Sequence, residues 1–122
     1  MIGYEPLFPE VTMDFKAMAS KLGFDLEDFV EIVRLLITTS QSELLTVEKE
    51  LAAGSSAGVS RAAHSIKGAA GNLGFMHVAD LAREMETLAN QGNAGSMDKI
   101  KEKAAALKAN LDLIKIAGDK GY

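Results

Sequence analysis

One histidine in the middle of the chain has the neighbours of a reactive side chain. His64 is followed by Lys67, Gly68 and Gly71, and on a helix all three project within about 60° of it, because each residue turns by about 100°. A neutral imidazole keeps a free lone pair that can attack a mixed anhydride such as an aspartyl phosphate. Lys67, one turn away, can hold phosphoryl oxygens as a compact cation. The spacing places a nucleophile and a cation together on one exposed helix face.

The two glycines on this face do nothing for helix stability. Each costs roughly 1 kcal/mol relative to alanine in a helix interior. Gly68 removes the side chain that would lie beside the imidazole on the next turn, and Gly71 clears the surface beyond it. We therefore expect a large partner to approach His64. The opposite face is apolar and predicts contact with a core; its members are Val59, Ala62, Ile66, Ala69, Ala70 and Leu73.

Residues 64–74 read His-Ser-Ile-Lys-Gly-Ala-Ala-Gly-Asn-Leu-Gly, and this stretch resembles the signature of the histidine-containing phosphotransfer (Hpt) domain of bacterial two-component phosphorelays. The similarity of helical layout extends from about residue 11 to residue 117. The resemblance implies that His64 is the phospho-acceptor and reacts through Nε2. It further implies that Lys67 assists charge and that Gly68 and Gly71 give access.

The resemblance also implies the partners. These are receiver domains of response regulators or hybrid sensor kinases, and the relay passes a phosphoryl group from one receiver aspartate through His64 to another. Mg²⁺ belongs to the receiver, so we expect no cofactor in this chain. For receiver docking we predict Ser60, Arg61, Asn72 and Leu45. Leu45 is included because helices paired about a turn near residues 54 and 55 place residues 41–45 opposite His64, although a place at the margin of the bundle fits it equally well.

Composition limits the class of protein. The chain has 122 residues, of which 48% are hydrophobic and 25% charged, with only two prolines, and this describes one folded, all-α domain. The absence of cysteine fits a reducing cytoplasm. A net charge of −4 argues against nucleic-acid binding, and no apolar run approaches 18 residues, which argues against a membrane span. We expect a cytoplasmic monomer.

The order of apolar stripes and helix-breaking residues predicts an antiparallel up-down four-helix bundle with a short N-terminal helix across one end. We predict an extended arm at 1–10, the phosphotransfer domain at 11–117 and a tail at 118–122. The predicted helices cover 11–22, 26–53, a segment from Ser55 or Ser56 to about Gly74, 76–90, and a last helix from Ser96 to Gly118.

Two helix starts and four core stripes follow from the same pattern. Asp25 is predicted to cap the second helix in a capping box with Asp28, and Ser96 is predicted to cap the last helix. Besides the apolar face of the His64 helix, the predicted core comprises Phe15, Met18, Ala19, Leu22, Leu26, Phe29 or Val30, Val33, Ile37, Ser40, Leu44, Val47, Leu51, Val78, Leu81, Met85, Leu88, Met97, Ile100, Ala104, Leu107, Leu111 and Ile114.

The sequence lacks the motifs of several kinds of functional site. The chain has no nucleotide-binding glycine loop, no kinase motif and no acidic cluster for magnesium, so we expect a phosphocarrier and no enzyme. Gly74 separates His64 from His77, which makes a metal site improbable, and we expect His77 to be exposed. No acidic residue occurs between Glu50 and Asp80, which predicts a mildly positive surface around His64.

Two other functions remain open at the level of sequence. The chain could be the phospho-acceptor fragment of a chemotaxis-type histidine kinase, which a separate kinase core would label with ATP. It could also be a helical interaction module in which His64 has no chemical role. Replacement of His64 by Gln would then leave partner binding and signalling unchanged.

Overall fold

The computed structural model describes residues 14–119, which form five α-helices and, within that range, no β-strand. The all-α prediction is confirmed. The predicted arm at 1–10 and the predicted start of the first helix at 11 lie outside the described residues, as do residues 120–122 of the predicted tail. The helices are α1 (Phe15–Leu22), α2 (Leu26–Ala52), α3 (Ser56–Leu73), α4 (Met76–Gln91) and α5 (Ala94–Asp119).

Helices α2 to α5 form a closed ring in which each packs against the next and α5 packs against α2. Connections of two or three residues reverse the chain between successive helices. Cross-helix contacts agree with this direction: His64 contacts Glu86, each eleven residues from Phe75. Arg34 near the start of α2 pairs with Asp119 at the end of α5. Helices α3 and α4 therefore run antiparallel, as do α2 and α5.

Helix α1 is held to one end of the bundle by aromatic side chains. The ring of Phe15 meets Phe29 of α2 edge to face with centroids 5.7 Å apart, and it meets Phe75 of the α3–α4 connection at 6.1 Å. All three rings are buried. Because Phe75 also begins α4, this cluster fixes the turn from which both α3 and α4 extend.

Helix boundaries match the predictions closely, with two corrections at their starts. Asp25 precedes α2, but its side chain makes no capping hydrogen bond, so the capping box is wrong; Asp28 is shorter than the Glu or Gln of such a box. The predicted cap Ser96 lies inside α5. Asn93 caps this helix instead, because its Oδ1 accepts the Ser96 N–H at 2.9 Å.

Most of the predicted core is buried. Ala69 and Leu22 are exposed, contrary to the prediction, and Ala63 is buried in addition. The buried face of α3 is thus rotated toward α4 relative to the predicted face. The predicted residues at the edge of the core are half-buried; they are Met18, Leu26, Val30, Leu51, Leu73, Leu88, Met97 and Ala104. Among the described residues, no helix combines the length and hydropathy of a membrane span.

Candidate functional site

His64 lies in the middle of α3 and faces solvent. Its side chain is 65% exposed, while Ala63 and Ile66 on the other face of the helix are buried in the core. The helix begins at Ser55, whose hydroxyl accepts the N–H of Gly58, and ends at Gly74 in the left-handed conformation. These two caps and the buried face fix the direction in which the imidazole leaves the bundle.

A carboxylate from the neighbouring helix connects the two predicted reactive residues. His64 Nδ1 lies 2.9 Å from Glu86 Oε2, and Lys67 Nζ donates to Glu86 Oε1 at the same distance. The side chain of Glu86 is only 20% exposed and that of Lys67 is 33% exposed. One carboxylate therefore orients both the imidazole and the ammonium.

This contact determines which nitrogen of His64 can react. An ionised carboxylate only accepts hydrogen bonds, so Nδ1 carries the hydrogen and donates it to Glu86. In the neutral ring the lone pair is then on Nε2. The carboxylate also lies within hydrogen-bond distance of the positive charge that the ring acquires when Nε2 reacts. The arrangement suits a nucleophilic Nε2.

The hydrogen bond from Lys67 is the largest influence that holds the pKa of Glu86 below its ordinary value. Burial acts in the opposite direction, and the hydrogen bond from His64 and the two positive charges add to the lowering of the pKa. Glu86 is consequently ionised at neutral pH and can fill the acceptor role that the tautomer requires.

Glu86 was missed by the sequence analysis, although a signal for it existed. Counting eleven residues in each direction from Phe75 pairs position 64 with position 86, by the same reasoning that placed residues 41–45 opposite His64. The prediction of a mildly positive surface around His64 needs correction for the same reason. The stretch free of acidic residues is local in sequence, and α4 supplies a carboxylate from 22 residues away.

The two predicted access glycines differ in their surroundings. A Cβ on Gly68 would meet nothing within 4 Å, which agrees with open space beside His64. A Cβ on Gly71 would lie 3.9 Å from the Cβ of Ala79, so Gly71 is half-buried and faces α4. The access role of Gly68 has this geometric support, and that of Gly71 stays a prediction.

The predicted docking residues divide between two sides of the bundle. Asn72 is exposed and Ser60 half-buried on α3. Arg61 is exposed and lines a depression between α2 and α3. Thr46 of α2 lines the same depression. Leu45 is 66% exposed, but it lies about 100° around α2 from Thr46, away from α3. The structure therefore does not bring Leu45 to the side of α2 that faces α3.

A different leucine, Leu35, lies on the side of α2 that faces α3, ten residues nearer the start of the helix than Leu45. It is also 66% exposed, and it lies within about 20° of Thr46 on the helical wheel, on the side of α2 that faces α3. With Phe24 and Ile32 it lines an open depression of about 440 Å³, which Asp28 and Glu31 border. Sequence periodicity marked none of the three apolar residues, because they fall outside the core stripe.

The donor groups of the described residues do not assemble a metal site: no three histidine, aspartate or glutamate side chains from residues 14–119 converge in that way. His77 is exposed near the start of α4, as predicted. The chemistry of the site thus rests on His64, Lys67 and Glu86.

Comparisons with known proteins give two matches. A family model described as "Hpt domain" matches residues 31–117. In three dimensions the chain is similar to the crystal structure of histidine-containing phosphotransfer protein B (HptB) from Pseudomonas aeruginosa PAO1, with a TM-score of 0.66 and 20% sequence identity, over 90% of this chain and 96% of that one. No curated protein sequence matches the chain.

Proposed function

The chain belongs to the Hpt domain family, which gives it a histidine phosphotransfer role in phosphorelays, and we propose that it carries phosphoryl groups between receiver domains on Nε2 of His64. The observation that carries the assignment to His64 is its hydrogen bond with Glu86, which leaves Nε2 as the nucleophile. The absence of cysteine in the sequence favours a cytoplasmic location, where receiver domains are found.

The transfer needs no general base from this chain, because the neutral ring attacks without first losing a proton. Nε2 of the neutral ring attacks the phosphorus of a receiver's aspartyl phosphate, so an N–P bond forms while the P–O bond to the aspartate breaks. The aspartate leaves as a carboxylate. The ring keeps its hydrogen on Nδ1 and becomes cationic, and Glu86 stabilises that charge through the existing hydrogen bond. The reverse transfer returns the neutral ring.

Lys67 lies beside the nucleophile, where its ammonium can stabilise the negative charge of the phosphoryl group. Its ammonium lies on the same carboxylate as the imidazole and is one third exposed, so it can turn toward phosphoryl oxygens with little movement. Phosphoryl transfer depends mainly on positioning and on stabilising charge, and Lys67 supplies both. We assign Mg²⁺ to the receiver, and this chain then contributes the histidine, the lysine and the docking surface.

We place the receiver on the outer surface of α3 and on the adjoining side of α2. Gly68 leaves room beside the imidazole, and Ser60, Arg61 and Asn72 provide polar contacts around it. A cluster of the exposed Phe24 and Leu35 with the half-buried Ile32 supplies an apolar contact on the same side of α2. Exposed apolar clusters of this kind are typical of protein interaction sites.

The test is phosphoryl transfer from a phosphorylated receiver domain in the presence of Mg²⁺. We expect wild-type protein to acquire acid-labile, alkali-stable phosphate and His64→Gln to acquire none. His77→Gln is the matched control, since His77 is also an exposed helical histidine, and it should be labelled like wild type. Equal labelling of wild type and His64→Gln would contradict the assignment. Label acquired only from a kinase core with ATP would favour the phospho-acceptor fragment of a chemotaxis-type kinase.

A further inference from the structure

The depression at the start of α2 combines an apolar floor with an acidic border. Phe24 and Leu35 are exposed and Ile32 is half-buried, and together they line an open space of about 440 Å³. Asp28 and Glu31 border this space, and both residues are exposed. A partner that covers the apolar residues therefore also comes close to two negative charges.

These two charges have no counterpart in the described part of the chain. The ion pairs among residues 14–119 include neither Asp28 nor Glu31. Asp28 lies in the first turn of α2, where a carboxylate interacts favourably with the helix dipole. Glu31 lies beyond that turn, so the dipole does not account for it. Covering the depression with a partner that lacks cations would take both carboxylates partly out of water, which costs free energy unless they are paired.

The depression lies within reach of a partner bound at His64. Glu50 of α2 lies against Gly58 of α3 near the turn between them, and the two helices line one depression over the adjoining two turns. Counting away from that contact along both helices places His64 level with about position 44 of α2. Leu35 and Glu31 then stand about 13 Å and about 20 Å farther along the axis. A standard interface covers about 800 Å² of each partner and is about 30 Å across, so one partner can reach both places.

We infer that the receiver bound at His64 covers this depression with an apolar side chain and pairs a lysine or arginine with Asp28 and Glu31. The inference rests on the proposed function and specifies the partner of the same surface. The two carboxylates are one turn apart on α2, so one long cationic side chain can contact both. The apolar residues supply affinity, whereas the carboxylates select against receivers that are acidic at this place.

A cationic face of a receiver fits this depression better than other occupants do. Asp28 lies at the same angle around α2 as Thr46, which lines the depression between α2 and α3. The acidic border is thus on the side of α2 that faces the His64 helix. A second copy of the chain, with its net charge of −4, a nucleic acid or an anionic membrane would each bring more negative charge toward the two carboxylates.

The first test reverses the charge of the border. Transfer is measured against increasing concentrations of the phosphorylated receiver domain that labels wild type in the transfer assay. We expect Asp28→Lys/Glu31→Lys to raise the receiver concentration at half-maximal rate at least about tenfold, because like charges then meet. The maximal rate should stay unchanged, since the variant leaves His64, Lys67 and Glu86 in place. The difference from wild type should shrink in about 0.5 M salt.

Two further variants separate local pairing from other effects. Asp98→Lys/Glu102→Lys makes the same change of net charge at exposed positions of α5 and should transfer like wild type. Asp28→Asn/Glu31→Gln adds no cation beside the positive end of the helix dipole, and it should raise the half-maximal concentration by about threefold. Circular dichroism shows whether each variant folds. An equal rise in the α5 variant, or no rise in either border variant, would overturn the inference.

The second test finds the partner's cation. Exposed lysines and arginines of the receiver are replaced by Glu one at a time. One such replacement should weaken transfer to wild type and restore it to Asp28→Lys/Glu31→Lys, because opposite charges meet again. If wild type is labelled but no replacement restores transfer, the inference fails while the proposed function stands. A wild-type chain that takes no phosphate from any receiver would overturn the proposed function, and this inference with it.

Discussion

At the scale of single residues, the decisive contact is the carboxylate of Glu86 between His64 and Lys67. The carboxylate fixes the hydrogen on Nδ1, which leaves the lone pair on Nε2. It also supplies a negative charge, which stabilises the ring once phosphorylation of Nε2 has made the ring cationic. Glu86 is therefore a positioning residue in the proposed transfer.

We expect Glu86→Gln to slow phosphoryl transfer by about 10- to 100-fold, by analogy with the loss when the carboxylate partner of a metal-ligating histidine is removed. A glutamine oxygen can still accept from Nδ1, but it cannot offset the positive charge of the reacted ring. Single-turnover transfer from a phosphorylated receiver measures the effect. Glu84→Gln, which changes a carboxylate of α4 that pairs with Lys103, is the control and should transfer like wild type.

The lowered pKa of Glu86 predicts how stability depends on pH. A carboxyl group whose folded pKa is depressed stabilises the fold above its unfolded pKa, and that contribution is lost as the pH falls through the folded pKa. The free energy of unfolding of wild type minus that of Glu86→Gln should therefore decline as the pH falls below about 5, through the ordinary carboxyl range. Urea unfolding at a series of pH values measures it. A difference that grows as the pH falls below about 5 would contradict the assignment.

Replacing Gly68 by alanine should stabilise the fold and slow phosphoryl transfer. A Cβ at this position meets nothing within 4 Å, so Gly68→Ala should raise the free energy of unfolding by about 0.5–1 kcal/mol through helix propensity. The same methyl group narrows the approach to His64, so transfer from the receiver should be slower. Urea unfolding and transfer kinetics on one preparation measure both effects. Unchanged transfer in a stabilised variant would show that Gly68 is not needed for access.

The sequence predicted the part of the site that one helix contains. His64, Lys67 and Gly68 share a face because of helical periodicity alone, and the structure keeps Lys67 beside His64. Glu86 was missed because its contact depends on how α3 and α4 are aligned. Leu45 was misplaced because pairing two helices by residue number fixes the level along the axis and leaves the rotation undetermined. Leu35 lies on the side of α2 that faces α3.

At the scale of helices, the ends and faces followed from local chemistry. Gly23 and Gly74 terminate α1 and α3 in the left-handed conformation, as their positions predicted. The starts were less certain, because Asp, Asn and Ser compete as caps when they stand close together. Asn93, and not Ser96, caps α5. The rotation of α3 that exposes Ala69 depends on packing against α4, which periodicity alone does not determine.

Phe75 links the helices at the end of the bundle where α1 docks. We expect Phe75→Ala to lower the free energy of unfolding by about 3–5 kcal/mol, because a fully buried ring leaves a cavity against Phe15 and Phe29. Urea unfolding followed by circular dichroism measures the loss. Phe24→Ala removes a ring that is 39% exposed and should cost much less. Equal losses would show that the aromatic cluster does not anchor the turn.

At the scale of the whole molecule, the bundle presents two separate surfaces. The side of α2 that faces α3 carries Leu35, whereas Leu45 lies beside a groove between α2 and α5. The two leucines are ten residues apart on the same helix and equally exposed, but they face different sides of the bundle. We expect the surface that carries Leu35 to serve the receiver.

Leu35→Ser should therefore slow phosphoryl transfer, mainly by raising the receiver concentration at which the rate is half-maximal, since it removes an apolar docking contact. Leu45→Ser should leave transfer unchanged, because Leu45 lies on the side of α2 away from α3. Transfer rates measured against increasing receiver concentration test both statements. A slower transfer in Leu45→Ser than in Leu35→Ser would reverse the assignment of the two surfaces.

All three residues of the proposed centre belong to one helical hairpin. His64 and Glu86 are 22 residues apart, and only the turn at Gly74 and Phe75 separates their helices. Contacts between residues close in sequence lose little chain entropy on closure and tend to form early in folding. The centre can thus be complete before α5 closes the bundle. Changes in α5 that loosen the bundle should leave the backbone amides around His64 among the slowest to exchange with deuterium.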